Sequence, residues 1–108
     1  MSAVLARVQA LAKQGEVRLS RHGLGELSAD GILLDDVVAG VSRAIRIEEY
    51  PEYVKGPSVL VLQRDGEQRP MHIVWGIAKN TTAPAVLVTA YRPDPARWSA
   101  DFLSRRKS

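Results

Sequence analysis

The chain has 108 residues, of which 45% are hydrophobic and 25% charged, and this composition fits one globular domain with a single core. It contains no cysteine, which excludes disulfides and thiolate zinc sites, and two histidines alone are too few to hold a metal. No apolar run approaches the roughly 20 residues of a membrane helix, and the first residues do not form a signal peptide. We therefore expect a cytoplasmic protein with no membrane association, metal or other cofactor.

The net charge of +3 comes entirely from the end of the chain. Residues 1–91 contain ten basic and ten acidic residues, which cancel, whereas residues 92–108 contain five basic and two acidic residues. Such a basic terminus is either a solvated, frayed end or an arm that faces nucleic acid. The charge alone does not decide between these interpretations.

The first helix is predicted over residues 2–14, where apolar side chains recur at helical spacing. Ser2 can cap its start, and Gly15 can end it. Residues 16–19 are predicted to be a short strand or an extended link.

A second helix is predicted over residues 21–29, with Ser20 as its cap. Its two glycines, Gly23 and Gly25, weaken a short helix and indicate close approach to another element or to a ligand. After a turn, a third helix is predicted from Asp35 to about Val41, with acidic residues in its first turn.

The rest of the sequence predicts a sheet. The expected strands are 44–50, 59–62, 71–79 and 85–91, each rich in apolar or alternating residues and separated by turn residues. Helices followed by an antiparallel meander indicate an α+β fold, with the N-terminal helices on one face of a four-stranded, mainly antiparallel sheet.

Alternation assigns the strand side chains to faces. In the third strand, Met71, Ile73 and Trp75 point one way, with Trp75 expected in the core, and His72 points the other way. The other assignments place Ile45 and Ile47 opposite Arg46, Glu48 and Tyr50, and Leu87, Thr89 and Tyr91 opposite Val86, Val88 and Ala90. After the last strand, Trp98 and Phe102 at i, i+4 predict a short helical turn that docks on the body.

The sharpest functional candidate is His22, in the first turn of the second helix beside Arg21. A cation there opposes the helix dipole, so this helix end needs an anion or uses a neutral imidazole. A neighbouring histidine and arginine suit phosphate chemistry, because one moves a proton and the other stabilises an oxyanion. The alternative is that His22 bonds to the turn and Arg21 points to water.

Five further residues, on the strands or directly after the last one, are candidates for the same site. Thr89 and Tyr91 share a face next to Arg92, so two hydroxyl groups and a cation can converge there, and Arg64 can reach the same region. His72 is either a site residue on the open face or a hydrogen-bonded strand histidine. An acidic strip, Glu48, Glu49 and Glu52, argues against nucleic-acid binding at the 44–53 edge.

Taken in order, these motifs resemble the bacterial family called domain of unknown function 4258. The resemblance covers roughly residues 17–98. It is carried by Ser20-Arg21-His22, Gly31-Ile32 with the acidic residues after it, Glu48-Glu49-Tyr50-Pro51, Leu60-Val61-Leu62, Met71-His72-Ile73-Val74, and Val88-Thr89-Ala90-Tyr91-Arg92-Pro93-Asp94 with Trp98.

The resemblance implies a small α+β domain of the RelE and barnase–EndoU–colicin nuclease-like group, whose members cleave RNA without a metal. It places the catalytic histidine at His22 and the strand-end motif at Thr89 and Tyr91. Where the family has arginines on the second helix, this chain has Glu26 and Asp30, which puts catalysis in doubt. One domain over residues 1–108 is expected: a helix (1–15), the family-like core (16–98) and a basic tail (99–108).

Two functions remain open at this point. The first is a toxin-like domain that cleaves or binds RNA, with His22 and Tyr91 as catalytic residues, Arg21, Arg64, His72, Thr89 and Arg92 as substrate-binding residues, and a small antitoxin-like protein as partner. The second is a catalytically inert interaction module, homodimeric through a sheet edge or through Trp98 and Phe102.

Overall fold

The structure is a computed structural model that describes residues 2–107. Helices and strands follow in the order α1 (Ala3–Lys13), β1 (Val17–Leu19), α2 (Arg21–Ala29), α3 (Leu34–Gly40), a 3-10 turn (Val41–Arg43), β2 (Ile45–Tyr50), β3 (Ser58–Arg64), β4 (Pro70–Gly76) and β5 (Ala85–Tyr91). Within these residues, no helix is both long enough and apolar enough to cross a membrane.

The α+β class is confirmed, but the predicted strand number is one too few. The sheet has five strands in the order β1-β5-β4-β3-β2, and β1 runs parallel to β5 while the other neighbours are antiparallel. Three residues are too short to show alternation, and β1 is a strand only because Val17–Leu19 pairs with Ala85–Leu87 far along the chain.

The helices pack on one face of this sheet, which we call the inner face. The predicted apolar side of β4 is confirmed, because Met71, Ile73 and Trp75 are fully buried there. The Trp75 indole donates to the Gln63 side chain at 2.9 Å, and the Gln63 amide donates to the Val37 carbonyl of α3 at 2.8 Å. Gln63, a buried polar side chain, thus links β3 to α3, and both its side-chain oxygen and its side-chain nitrogen are hydrogen-bonded.

Two β-bulges change the predicted alternation. In β5 the register with β4 shifts between the pairs Val74–Thr89 and Trp75–Leu87, which leaves Val88 as the extra residue. Leu87 and Ala90 are therefore both buried in the core, and the prediction that Leu87 shares a face with Thr89 and Tyr91 is wrong.

A second bulge lies in β2, where the pairing skips Ile47 between Arg46 and Glu48. Ile45 pairs with Leu62 and Glu48 with Leu60, so Ile45 and Glu48 lie on the same face and the predicted separation is wrong. We call this face, directed away from the helices, the outer face.

The start of α2 is fastened to the bulge of β5. The Ser20 hydroxyl accepts from the Gly23 N–H at 2.9 Å, as predicted for a cap, and donates to the Val88 carbonyl at 3.1 Å. A Cβ on Gly23 would lie 2.6 Å from the Leu87 carbonyl oxygen, whereas one on Gly25 would meet nothing within 4 Å. Gly23 therefore serves the close approach of helix and strand, and nothing in the structure explains Gly25.

The C-terminal segment is a turn-rich hairpin, so the predicted helical turn is wrong. The Ser99 N–H donates to the Ser104 carbonyl and the Arg106 N–H to the Arg97 carbonyl. Phe102 has a φ of 62°, which a continuing right-handed helix does not permit. Trp98 pairs with Arg105 across this hairpin and is buried against the outer face.

The two glycines of α2 give a direct test of this packing. Gly23→Ala forces a methyl group into the backbone of β5 and is expected to destabilise the protein by about 1–3 kcal/mol. Gly25→Ala, the matched control, is expected to stabilise by up to about 1 kcal/mol, because it only raises helix propensity. Urea unfolding of both variants measures the difference, and equal effects would contradict the assignment.

Candidate functional site

Two concave surfaces lie on or beside the outer face. The first, called the C-terminal cleft, has a volume of about 700 Å³. It is lined by Tyr91, Arg92, Asp94, Ala96, Arg97, Trp98, Arg105, Arg106 and Lys107. Five of these residues are basic and one is acidic, so the charge excess that the sequence places at the end of the chain is concentrated in one hollow.

The cations of the cleft differ in how far they are already paired. Arg105 forms an ion pair with Glu48 and lies over the Trp98 ring, 4.9 Å from its centre. Within residues 2–107, Arg97, Arg106 and Lys107 make no ion pair. These three remain available for an anion, since no carboxylate of the described chain neutralises them.

Arg92 is held by the fold itself. Its guanidinium donates to the Asp65 carboxylate at 2.9 Å and to the Pro70 carbonyl at 3.2 Å, and its backbone N–H donates to Asp30 at 2.8 Å. The sequence predicts that Arg92 contacts phosphate, but in the structure its guanidinium already bonds to two protein acceptors, Asp65 and Pro70. Asp30, which follows α2, fixes the end of β5.

The Asp65 carboxylate is almost fully buried. Burial opposes its ionisation, but the N–H groups of Arg69 and Glu67 and the Arg92 guanidinium outweigh this and lower its pKa to about 2. The low pKa means that the ionised form stabilises the fold by on the order of 2 kcal/mol at neutral pH.

His72 and Tyr91 are the two predicted site residues that the structure brings together. They are paired across β4 and β5, and the His72 Nδ1 lies 3.1 Å from the Tyr91 hydroxyl. The His72 Nε2 lies 2.8 Å from the Phe102 carbonyl, so Nε2 donates to that oxygen and Nδ1 accepts from Tyr91. The imidazole is fully buried and meets the Trp98 ring edge-on at 4.3 Å.

This arrangement favours a neutral imidazole. Burial lowers the pKa of His72, and the nearby Arg105 acts in the same direction, while the bond to the Phe102 carbonyl opposes both. Burial likewise raises the pKa of Tyr91, which keeps its hydroxyl protonated as a donor. His72 thus clamps the C-terminal hairpin to the outer face, as the hydrogen-bonded strand histidine that the sequence allowed.

The second concave surface, called the sheet groove, has a volume of about 630 Å³. Its lining comprises Arg18, Ser20, His22, Tyr50, Tyr53, Lys55, Gly56, Ser58, Val74, Gly76, Ile77, Ala78, Val86 and Val88. Valines of β4 and β5 form the floor, and tyrosines and basic residues stand at the sides. No Asp or Glu from residues 2–107 contributes to this lining, although Glu26 lies next to it through His22.

His22 stands at the β1 side of the groove, at the start of α2. Its side chain is 68% exposed, and its Nε2 lies 3.1 Å from a Glu26 carboxylate oxygen. A neutral ring that donates from Nε2 to this carboxylate keeps a free lone pair on Nδ1. The contact with Glu26 therefore orients the predicted catalytic histidine.

Of the remaining predicted residues, Arg64 and Thr89 lie apart from His22 and Arg21 lies next to it. Arg64 donates to the Gln68 carbonyl at 3.0 Å and lines a separate depression beside Arg43. Arg21 is exposed beside His22, and Thr89 lies on the outer face opposite Val74. The structure thus groups His72 and Tyr91 in one place and His22 in another.

The basic residues of the cleft belong to the C-terminal tail, which the sequence offered as an arm that faces nucleic acid. The sequence analysis does not select four residues that line the groove: Arg18, Lys55, Tyr50 and Tyr53. The acidic strip around Tyr50 and Tyr53 argued against a site there. In the structure, however, Arg105 forms an ion pair with Glu48, and Glu49 accepts a hydrogen bond from the Ser2 hydroxyl. Alternation within residues 44–50 was the available signal, and the bulge at Ile47 obscured it.

The two surfaces adjoin. Tyr50 lines the groove and Arg105 lines the cleft, and Arg105 forms an ion pair with Glu48, which lies on the same face of β2 as Tyr50. Burial and the neighbouring Glu48 raise the pKa of Tyr50, so its hydroxyl stays protonated. In the described part of the chain, the structure gathers no cluster of three His, Asp or Glu residues that could hold a metal ion.

The family described as Domain of unknown function (DUF4258) matches residues 19–92, which is most of the chain. The chain belongs to this family. The match runs from the end of β1 to the start of the C-terminal segment and includes His22, His72, Thr89 and Tyr91. No curated protein and no solved structure matches the chain.

The clamp at His72 predicts a pH dependence of stability. A histidine whose pKa is lowered by folding stabilises the native state fully above the unfolded value of about 6.5, and this stability is lost as the pH falls below it. We expect unfolding free energy to fall between pH 7 and 5, and His72→Gln to remove this slope. Urea unfolding as a function of pH measures it.

His22→Gln is the control, since it replaces the exposed histidine and leaves the clamp intact. A slope that persists in His72→Gln, or disappears in His22→Gln, would contradict the assignment. The contribution of Asp65 is lost only as the pH falls from the unfolded pKa of 3.8 to the folded value of about 2, which is below the tested window.

Proposed function

We propose that the protein binds RNA and cleaves it without a metal ion, as a toxin-like ribonuclease of the RelE and barnase–EndoU–colicin nuclease-like group. The observation that carries the proposal is the C-terminal cleft, which collects five basic residues beside a single acidic one. Residues 1–91 are electrically neutral overall, so the chain concentrates its excess charge at one surface. A polyanion is the partner that such a surface favours.

The adjoining groove supports the chemical part of the proposal. His22 contributes an exposed imidazole with a free Nδ1, and Arg18 and Lys55 line the same groove. In the proposed step, Nδ1 removes the proton of a ribose 2′-hydroxyl, and the 2′ oxygen attacks the adjacent phosphorus. The 5′ oxygen then leaves with a proton from solvent, and a 2′,3′-cyclic phosphate remains.

The two acidic replacements on α2 are compatible with this proposal. Asp30 uses its carboxylate to accept the Arg92 N–H, and Glu26 bonds to the His22 imidazole. Neither carboxylate lines the groove or the cleft. Both carboxylates thus accept hydrogen bonds from groups of the protein. In the proposal, the cations of the C-terminal cleft contact the phosphates.

Binding is tested by the salt dependence of RNA affinity. Each phosphate contact to a single strand adds about −0.7 to the slope of log K against log salt. The double variant Arg97→Gln and Arg106→Gln is expected to weaken binding and to reduce the slope by about 1.4. Fluorescence anisotropy with a labelled single-stranded RNA, from 50 to 300 mM salt, measures both quantities.

Arg7→Gln with Arg46→Gln is the matched control, since both side chains are exposed and line neither the groove nor the cleft. It removes the same charge and is expected to leave the slope unchanged. A slope near zero for the unmodified protein, or equal changes in the two double variants, would rule out RNA binding at the cleft.

Cleavage is tested at His22. Because general acid–base catalysis contributes about 10²–10⁴-fold, His22→Ala is expected to slow RNA cleavage by that factor while RNA affinity changes little. Glu26→Gln is expected to give a smaller loss, since an amide still bonds to the ring. Gel analysis of end-labelled RNA in the presence of a chelator, with identification of the product termini, gives the result. Full activity in His22→Ala, or loss of wild-type activity with the chelator, would refute the mechanism.

An inert interaction module is the second candidate, and exposed leucines favour it. Leu24 on α2 is 60% exposed and Leu33, just before α3, is 66% exposed. A second copy or a small antitoxin-like protein would bury them. Trp98 is less suited to a dimer contact, because it is already buried within the chain. The salt titration separates the candidates, since an apolar contact loses almost nothing with salt.

A further inference from the structure

The sheet groove has two different sides, which is a basis for assigning a ligand. Arg18 of β1 and His22 of α2 form one side, and Tyr50, Tyr53 and Lys55 at the end of β2 and beyond form the other. Between them lie β5, β4 and β3. From β1 to β2 the sheet spans four strand spacings, about 19 Å. A ligand that contacts the side chains of both sides meets different chemical groups at its two ends.

The floor of the groove is apolar. Val86 and Val88 of β5 and Val74 of β4 supply it, and Gly76 pairs with Val86 and Ser58 across the strands. Because Gly76 has only a hydrogen as its side chain, no side-chain atom projects from the floor at that point. Such a surface fits a planar, largely apolar group, and the neighbouring Tyr53 ring, 52% exposed, is free to stack on it.

The charges that line the groove indicate which chemical group of a ligand lies at the Arg18 side. Arg18 and Lys55 line the groove together with the His22 imidazole, and none of the lining side chains within residues 2–107 is acidic. Arg18 is exposed on β1, opposite Val86, and forms no ion pair in the described chain. An anionic group at this side is therefore favoured, whereas a cationic ligand is not.

We propose that the sheet groove binds one nucleotide unit, with its base on the valine floor beside Tyr53 and its phosphate at Arg18. The volume of about 630 Å³ is within the range of small-molecule sites. The unit is either a free nucleotide or one residue of an RNA strand whose neighbouring phosphates lie in the C-terminal cleft. In the second case the inference rests on the proposed function and specifies its substrate as unpaired RNA.

The first experiment uses adenosine 5′-monophosphate, adenosine and ribose 5-phosphate as probes of the full-length protein. Binding is followed by amide shifts in ¹H–¹⁵N spectra, which also locate the site. Adenosine 5′-monophosphate is expected to shift the groove residues, and each of the two fragments to bind at least about ten-fold more weakly, because each lacks one of the two ends. No shift in the groove, or equal binding of the intact nucleotide and a fragment, would overturn the proposal.

Two substitutions test the two ends separately. Tyr53→Ala is expected to raise the Kd for adenosine 5′-monophosphate at least about five-fold by removing a stacking surface. Arg18→Gln is expected to raise it about ten-fold by removing a charged donor. Val54→Ala and Arg46→Gln are the matched controls, since both residues are exposed and lie outside the groove. Equal Kd values in test and control variants would refute the assigned contacts.

The source of the nucleotide is decided with RNA. If it is a unit of RNA, Tyr53→Ala weakens binding of a single-stranded hexamer and leaves binding of a blunt duplex unchanged. If only the free nucleotide responds, the groove is a nucleotide site separate from the cleft. If the proposed function itself is wrong, the result is different. The protein then binds no RNA in the salt titration, whether or not adenosine 5′-monophosphate shifts the amide signals of the groove residues.

Discussion

The contact between the buried Asp65 carboxylate and Arg92 sets the geometry of the whole outer face. Arg92 is the first residue after β5, and its side chain is fixed by Asp65 while its backbone is fixed by Asp30 of the α2 end. The direction in which the chain leaves the sheet follows from these two bonds. The position of the C-terminal segment depends on that direction. Trp98 packs on His72, and the basic residues of the segment line the C-terminal cleft. A carboxylate with a pKa of about 2 keeps this anchor charged throughout the physiological range.

The bulge at Val88 connects this anchor to the groove. An extra residue in β5 lets Leu87 and Ala90 both enter the core and presents the Val88 carbonyl to the Ser20 hydroxyl. Ser20 in turn caps α2, so the position of His22 is determined by β5 rather than by its own short helix. The glycine at position 23 allows the same approach. A catalytic or binding side chain on a two-turn helix needs such support, because a helix of this length is not stable alone.

The sequence was sufficient for the helices, the α+β class, the core face of β4 and the cap at Ser20, because each depends on local periodicity or on a single turn of chain. The sequence was insufficient wherever the conformation of a segment depends on a partner that is distant along the chain. Three residues become β1 only by pairing with β5, and a bulge leaves no local mark in the β2 or β5 sequence. The Trp98 and Phe102 spacing looked helical, but burial of Trp98 on His72 determined a hairpin. For the site, sequence located His22 and the basic tail, and missed the tyrosines across the sheet.

The two histidines illustrate why one residue type can have opposite roles in one small domain. His72 has both ring nitrogens bonded, to Tyr91 and to the Phe102 carbonyl, and it has no exposed surface. It has no spare lone pair or proton for a substrate, so its chemistry is structural. His22 has one nitrogen bonded to a carboxylate and the other directed to no acceptor or donor in residues 2–107. His22 is therefore the exposed imidazole of the two, in the same groove as Arg18, and its bonded nitrogen faces Glu26 from the next turn of α2.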